Sequence, residues 1–199
     1  MLSPAQPVLL LASASPRRSE LLLQLGVAHS ARAADLDETL APAETARGYV
    51  ERIACAKASA LRHTETSLPV LGADTVVVLD GVIFGKPSGR DDALRMLARL
   101  SGRVHEVLTA VALADCRGVA LAVNVSTVRF RALTDAECRD YWESGEPRDK
   151  AGGYAIQGFA AAFIESLHGS YSGVMGLPLF ETAALLRAAG VPYGRRVSA

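Results

Sequence analysis

The sequence predicts an α/β protein in which strands alternate with helices, with two lobes around one cleft. Three observations point there. Short apolar runs bounded by turn residues alternate with segments whose apolar positions recur at helical spacing. The run Val70–Leu79 is apolar or small on both faces, as expected of a central strand. Half of the 199 residues are hydrophobic and 21% are charged, so a sizeable core can be buried.

The elements follow in order. Residues 8–13 predict a first buried strand. Ser15 at an N-cap, Pro16 at the first helical position and Gly26 beyond the end then bracket a helix, with helical character over 20–25. Residues 31–38 read as extended. A long helix is expected from 44 to about 63, with Tyr49, Ile53, Ala56 and Ala60 at helical spacing. Val70–Leu79 is a strand, and Asp80-Gly81 is a hairpin turn into Val82–Phe84. Residues 91–100 form an amphipathic helix, and 104–114 and 119–130 are two strands around Arg117-Gly118. Thr134 caps a helix to about 143, followed by a glycine-rich segment over 147–158. A strand over 160–167, a closing helix over Leu179–Ala189 and a loose tail from about 191 complete a single domain spanning 1–199.

Composition narrows the function. The 21 basic residues balance 21 acidic ones, which argues against a nucleic-acid partner or an anionic membrane surface. Cys55, Cys116 and Cys138 are odd in number, far apart and without zinc spacing, which favours a reducing, cytoplasmic setting. No apolar run approaches the roughly 20 residues of a membrane span. Val8 to Leu11 before Ala12-Ser13-Ala14 is too short, and lacks the basic start, for a signal peptide.

Four places carry candidate chemistry. At Ser13-Ala14-Ser15-Pro16-Arg17-Arg18, two hydroxyls and two guanidiniums surround a helix start. Paired arginines oppose the helix dipole there unless an anion such as phosphate arrives; solvated arginines beside an ordinary cap are the alternative. Asp74 sits inside the otherwise apolar strand, where a carboxylate needs a cation, a metal or several donors, as a catalytic group or as a structural ion pair. Only three of the 21 basic residues are lysines: Lys57, Lys86 and Lys150. These positions select a compact ammonium, unless drift explains so few. Asp35, Asp37 and Glu38 cluster in the extended stretch, either as oxygen ligands for Mg²⁺ or Mn²⁺ beside a phosphate or as a solvated acidic loop.

Other matches fail. Gly81 to Pro87 has the wrong spacing for a P-loop, and Pro87 replaces its hydroxyl residue. Gly169 to Gly173 is not a nucleophile elbow, and no G-x-G-x-x-G follows a strand.

The motifs S-A-S-P-R-R, D-L-D-E, C-A-K-A, G-A-D-T, G-K-P, K-A-G-G-Y-A-I-Q-G and G-S-Y-S-G-V-M-G-L-P occur in that order between residues 8 and 190. In this the chain resembles the Maf family of nucleoside triphosphate pyrophosphatases. The resemblance implies a long mixed β-sheet with flanking helices and two lobes, related to the inosine-triphosphate pyrophosphatase fold. It also implies hydrolysis between the α- and β-phosphates with a divalent metal cation. By motif, Asp74 becomes the proton acceptor that activates water and Glu38, with Asp74, a metal ligand. Asp35 and Asp37 leave the ligand assignment open. Ser13, Arg17, Arg18, Lys57 and Lys86 become triphosphate contacts. Arg17, Thr75 and Gln157 match the family's dTTP/UTP group, where its 7-methyl-GTP group holds Trp, Gln and Glu. A Gln amide both donates and accepts, which suits a uracil-type edge. The same chemistry on a methylated purine nucleotide, or a nucleotide-sensing regulator of division, are the alternatives. The resemblance also implies a homodimer.

Overall fold

The computed structural model describes residues 6–62, 64 and 67–194. Its strands are β1 (Leu9–Ala12), β2 (His29–Ala31), β3 (Val70–Leu79), β4 (Val82–Phe84), β5 (Val104–Asp115), β6 (Gly118–Phe130) and β7 (Ile164–His168). Its helices are α1 (Pro16–Gln24), α2 (Ala46–Arg62), α3 (Arg90–Leu100), α4 (Asp135–Glu143), α5 (Tyr171–Met175) and α6 (Leu179–Ala189). The seven strands form one mixed sheet in the order β2-β1-β3-β5-β6-β7, with β4 paired to β3. This is the α/β class expected. The chain divides into two compact units, the first built from 1–74, 109–124 and 176–199 and the second from 75–108 and 125–175.

In the first unit, β1 pairs in parallel with β2 and with the start of β3, in the registers Leu9↔His29 and Leu10↔Val70. All four residues of β1 are buried, which is why this run is continuously apolar rather than alternating. Leu10, Ala12, Leu61 and Val70 form a small buried cluster with Ala34 against it. The position that brings helix and strand together is Gly72. A Cβ there would lie 2.4 Å from Ala54 O and 2.7 Å from Ala58 N, so α2 can lie against β3 only over a residue with no side chain. Residues 191–194, expected as the start of a loose tail, are held against the fold. Val191 is buried, its N–H donates to Leu186 O, and Gly194 N donates to Leu25 O at 2.7 Å. The rest of the expected tail, 195–199, lies outside the described residues.

In the second unit, Asp80 and Gly81 both take positive φ, 52° and 76°, the signature of the two-residue turn that joins β3 to β4. Arg103 donates to both Asp80 carboxylate oxygens at 2.7 and 2.8 Å. Thr134 and Glu137 close a full capping box at the start of α4. The core gathers Val77, Leu97, Phe130, Tyr141, Ile156 and Phe163.

One expected element is corrected here. The strand over 160–167 is only β7, from Ile164; Phe159–Phe163 is a 3₁₀ turn instead. The Glu146 carboxylate accepts from Phe159 N and Ala160 N at 2.9 and 3.3 Å, so those donors go to a cap rather than to a strand ladder. Among the described residues no helix is long and apolar enough to cross a membrane.

Candidate active site

The first unit builds a charged cluster around the end of β1 and the middle of β3. Past Ala12 the chain turns through Ser13 into α1, whose N-cap is Ser15 in extended conformation. The Ser15 side chain makes no cap hydrogen bond. Instead the buried Ser13 hydroxyl accepts from Ser15 N at 3.1 Å and from Arg18 Nη1 at 3.2 Å. Arg18 Nε donates to Gly176 O at 2.9 Å, so a carbonyl of the glycine-rich motif before α6 fixes the guanidinium. Burial lowers the Arg18 guanidinium from its usual value; the Asp74 and Glu38 charges push the other way, and Arg17 adds to the lowering. Arg17 is half-buried at the same helix start. A hollow of about 440 Å³ opens at this corner, with Ser13, Ser15, Pro16 and Arg32 in its wall.

Asp74 is where the sequence places it, buried in β3 with 7% of its surface exposed. Its cation is Lys57, on the buried face of α2 and 8% exposed. Lys57 Nζ donates to Asp74 Oδ1 at 2.8 Å and also lies 2.8 Å from Glu38 Oε1. One ammonium thus bridges a buried carboxylate and an exposed one. Such a pair holds position because each charge is compensated where water is scarce.

Glu38 belongs to a loop without regular structure, and α2 holds that loop. Tyr49 Oη donates to Glu38 O at 2.8 Å, and Arg52 Nη2 donates to Thr39 O at 3.0 Å. Arg52 also forks onto both Glu44 oxygens at 2.7 Å, while Glu44 accepts from Ala41 N at 3.0 Å. The Arg52 bond pulls the Glu44 carboxyl down to about 2. Burial first, then the negative charges of Asp74 and Glu38, push the Tyr49 phenol up to about 12. Asp37 is occupied locally, accepting from Thr39 N at 2.9 Å, and Asp35 is exposed.

This anchoring leaves no trace in the hydrophobic pattern. Periodicity marked Tyr49 as apolar-faced, and only its hydroxyl, invisible to that pattern, finds Glu38.

Of the predicted site residues, Ser13, Arg18, Glu38, Lys57 and Asp74 are brought together by these bonds and charges. Thr75, Lys86 and Gln157 belong to the second unit. Thr75 is half-buried in β3, Lys86 is exposed after β4, and Gln157 is exposed in the turn after Ile156. Lys150 pairs with its neighbour Asp149.

The donor set suits a hard cation only in part. Among the described residues no group of three or more His, Cys, Asp or Glu side chains could cage a metal. The carboxylates of Glu38 and Asp74 are oxygen donors held on one ammonium, and Mg²⁺ is commonly bound by one or two carboxylates together with substrate phosphates. The residues therefore fit a cation that arrives with a phosphate-bearing substrate.

Residues 8–189 match the family model described as "Maf-like protein". A protein of Hahella chejuensis named dTTP/UTP pyrophosphatase is 50% identical over 192 residues, covering 95% of this chain and 96% of its own. Proteins of the same name from Bordetella parapertussis and Aromatoleum aromaticum are 54% and 52% identical, covering 93% and 96% of this chain and 94% and 100% of their own.

Proposed function

The chain belongs to the Maf-like protein family, and from that premise we propose that it hydrolyses dTTP and UTP to the nucleoside monophosphate and pyrophosphate. The relatives at 50–54% identity over nearly the whole chain carry that name, and Arg17, Thr75 and Gln157 match the dTTP/UTP group. The single observation that carries the chemistry is the buried Asp74 carboxylate, whose Oδ1 is engaged by Lys57 at 2.8 Å.

In this reading Asp74 Oδ2 takes a proton from water as the water oxygen bonds to the α-phosphorus. The bond from that phosphorus to the bridging oxygen breaks, and pyrophosphate leaves with the electron pair. Lys57, Arg17 and Arg18, with the Ser13 hydroxyl, face the growing negative charge as preorganised donors that need little rearrangement. Lys86, from the second unit, is assigned a triphosphate contact, and Thr75 and Gln157 contacts that select the nucleobase. Glu38 and Asp74 would hold Mg²⁺ or Mn²⁺. When bound, such an ion neutralises phosphate charge and makes coordinated water more acidic.

The test is pyrophosphate release from a panel of pyrimidine and purine triphosphates, with and without divalent cation. Release with dTTP and UTP ahead of the rest is the expected result. Nucleotide binding with no pyrophosphate released from any substrate would overturn the reading and favour a sensor.

A further inference from the structure

Gln157 reaches solvent from a tight turn, and the second unit holds that turn unusually firmly. Gly158 N donates to Ala155 O at 3.0 Å, so Ile156 and Gln157 occupy the two central positions. Tyr154, Ala155 and Ile156 are buried at 5, 5 and 6% exposure, and Gln157 alone of this run faces outward.

Both feet of the turn are tied to one pair of side chains. On the entering side, Ala155 N donates to Tyr141 Oη at 3.1 Å. On the leaving side, Phe159 N and Ala160 N donate to the Glu146 carboxylate. The pair is joined by Tyr141 Oη donating to Glu146 Oε1 at 2.6 Å, the length of a hydroxyl bonded to an ionised carboxylate. The Tyr141 hydroxyl therefore donates once and accepts once, and both Glu146 oxygens are used. Burial, and then this bond, raise the Tyr141 phenol well above its usual range, so it stays a donor.

Gly158 completes the device. A Cβ there would lie 2.3–2.5 Å from the Glu146 carboxylate atoms. Its backbone, at φ −108° and ψ −152°, is open to any residue. A side chain at 158 would therefore displace the Glu146 carboxylate from the place its three donors hold it in, while the backbone conformation itself does not call for glycine.

We propose that Glu146, with Tyr141, is the positioning residue that sets nucleobase selection by fixing the turn bearing Gln157. This rests on the assignment of Gln157 to the nucleobase made above. Glu146 need touch no substrate. It acts by removing freedom from the turn, so the Gln157 amide is aimed before the nucleotide arrives.

The experiment is steady-state pyrophosphate release with dTTP, UTP and ATP by Glu146→Ala, Glu146→Gln, Gly158→Ala and Gln157→Ala, with thermal midpoints measured alongside. Gly158→Ala leaves Glu146 present but drives its carboxylate from its three donors. In Glu146→Ala and Gly158→Ala, KM for dTTP and UTP should rise about 10-fold, the scale of one lost hydrogen bond to the nucleobase. Their preference for UTP over ATP should narrow together with that of Gln157→Ala. Glu146→Gln, which keeps one acceptor oxygen, should fall between Glu146→Ala and the unmodified protein. If Glu146→Ala does not fold, Tyr141→Phe removes only the hydroxyl and carries the same expectation. Folded Glu146→Ala and Gly158→Ala with unchanged KM and unchanged preference, beside an altered Gln157→Ala, would overturn the positioning role alone. An unaltered preference in Gln157→Ala would overturn the assignment of the nucleobase, and the positioning role with it.

Discussion

Replacing Gly72 by Ala tests whether the Lys57–Asp74 pair, to which the proposed function assigns the chemistry, depends on how closely α2 lies on β3. The added methyl would stand 2.4 Å from Ala54 O, 2.7 Å from Ala58 N and 3.1 Å from Lys57 Cβ. The first of these is about 1 Å inside an ordinary contact. Two of the three are backbone atoms in the middle of a helix, so no rotamer change relieves them and helix or strand must shift by a comparable distance. Overpacking of this kind costs roughly 1–3 kcal/mol. For a chain of this size that is a fall in thermal midpoint of about 2–12 °C. The same shift moves Lys57, carried on α2, relative to Asp74 on β3, whose contact is 2.8 Å. A displacement near 1 Å at a reacting centre can lower turnover by ~10²-fold. The assay pairs a thermal melt with pyrophosphate release from dTTP at 25 °C, where the variant is still folded. The reasoning is refuted by a variant with unaltered midpoint and unaltered turnover, because the methyl would then have been accommodated without moving either charge.

Other expectations follow from the same geometry. Lys57→Met leaves Asp74 buried without its cation; breaking such a pair costs about 3–5 kcal/mol, so denaturant melts should show a loss of that order together with weak turnover. Stability should also respond to the buried His105, whose Nε2 lies 2.8 Å from Tyr154 Oη and whose burial pulls it from 6.5 down to about 4. Between those two pH values the unfolded chain binds a proton that the folded chain refuses, so stability falls as pH drops from about 6.5 toward 4. The full difference is roughly 3 kcal/mol. Melts of His105→Leu over that range should show a shallower slope, and equal slopes would refute the assignment. Gln157→Glu should depress dTTP and UTP turnover relative to other nucleotides, and an unchanged profile across a nucleotide panel would count against it.

Much of this site was legible in the sequence, because burial and charge conflict visibly there. An aspartate in the middle of a ten-residue apolar strand calls for a cation, a metal or several donors nearby, and the rarity of lysine singles out Lys57, though together with Lys86 and Lys150. The turn at Asp80-Gly81 and the capping residue Thr134 were readable because their chemistry is local. The corrections and omissions share a different cause. The 3₁₀ turn at Phe159–Phe163 is capped by Glu146, 13 and 14 residues earlier, and no local pattern connects them. The support of Glu38 comes from a tyrosine hydroxyl 11 residues away. Gly72 looked like any small residue in a strand, and only the helix lying across it explains why a side chain is excluded.

The proposed hydrolysis depends most directly on Asp74 accepting the proton of the attacking water. Asp74→Asn keeps the shape and the hydrogen bond reach of the side chain while removing the base. Single-turnover pyrophosphate release from saturating dTTP should fall by at least the ~10²-fold typical of losing a general base, with nucleotide still bound. A rate near that of the unmodified protein would contradict the account.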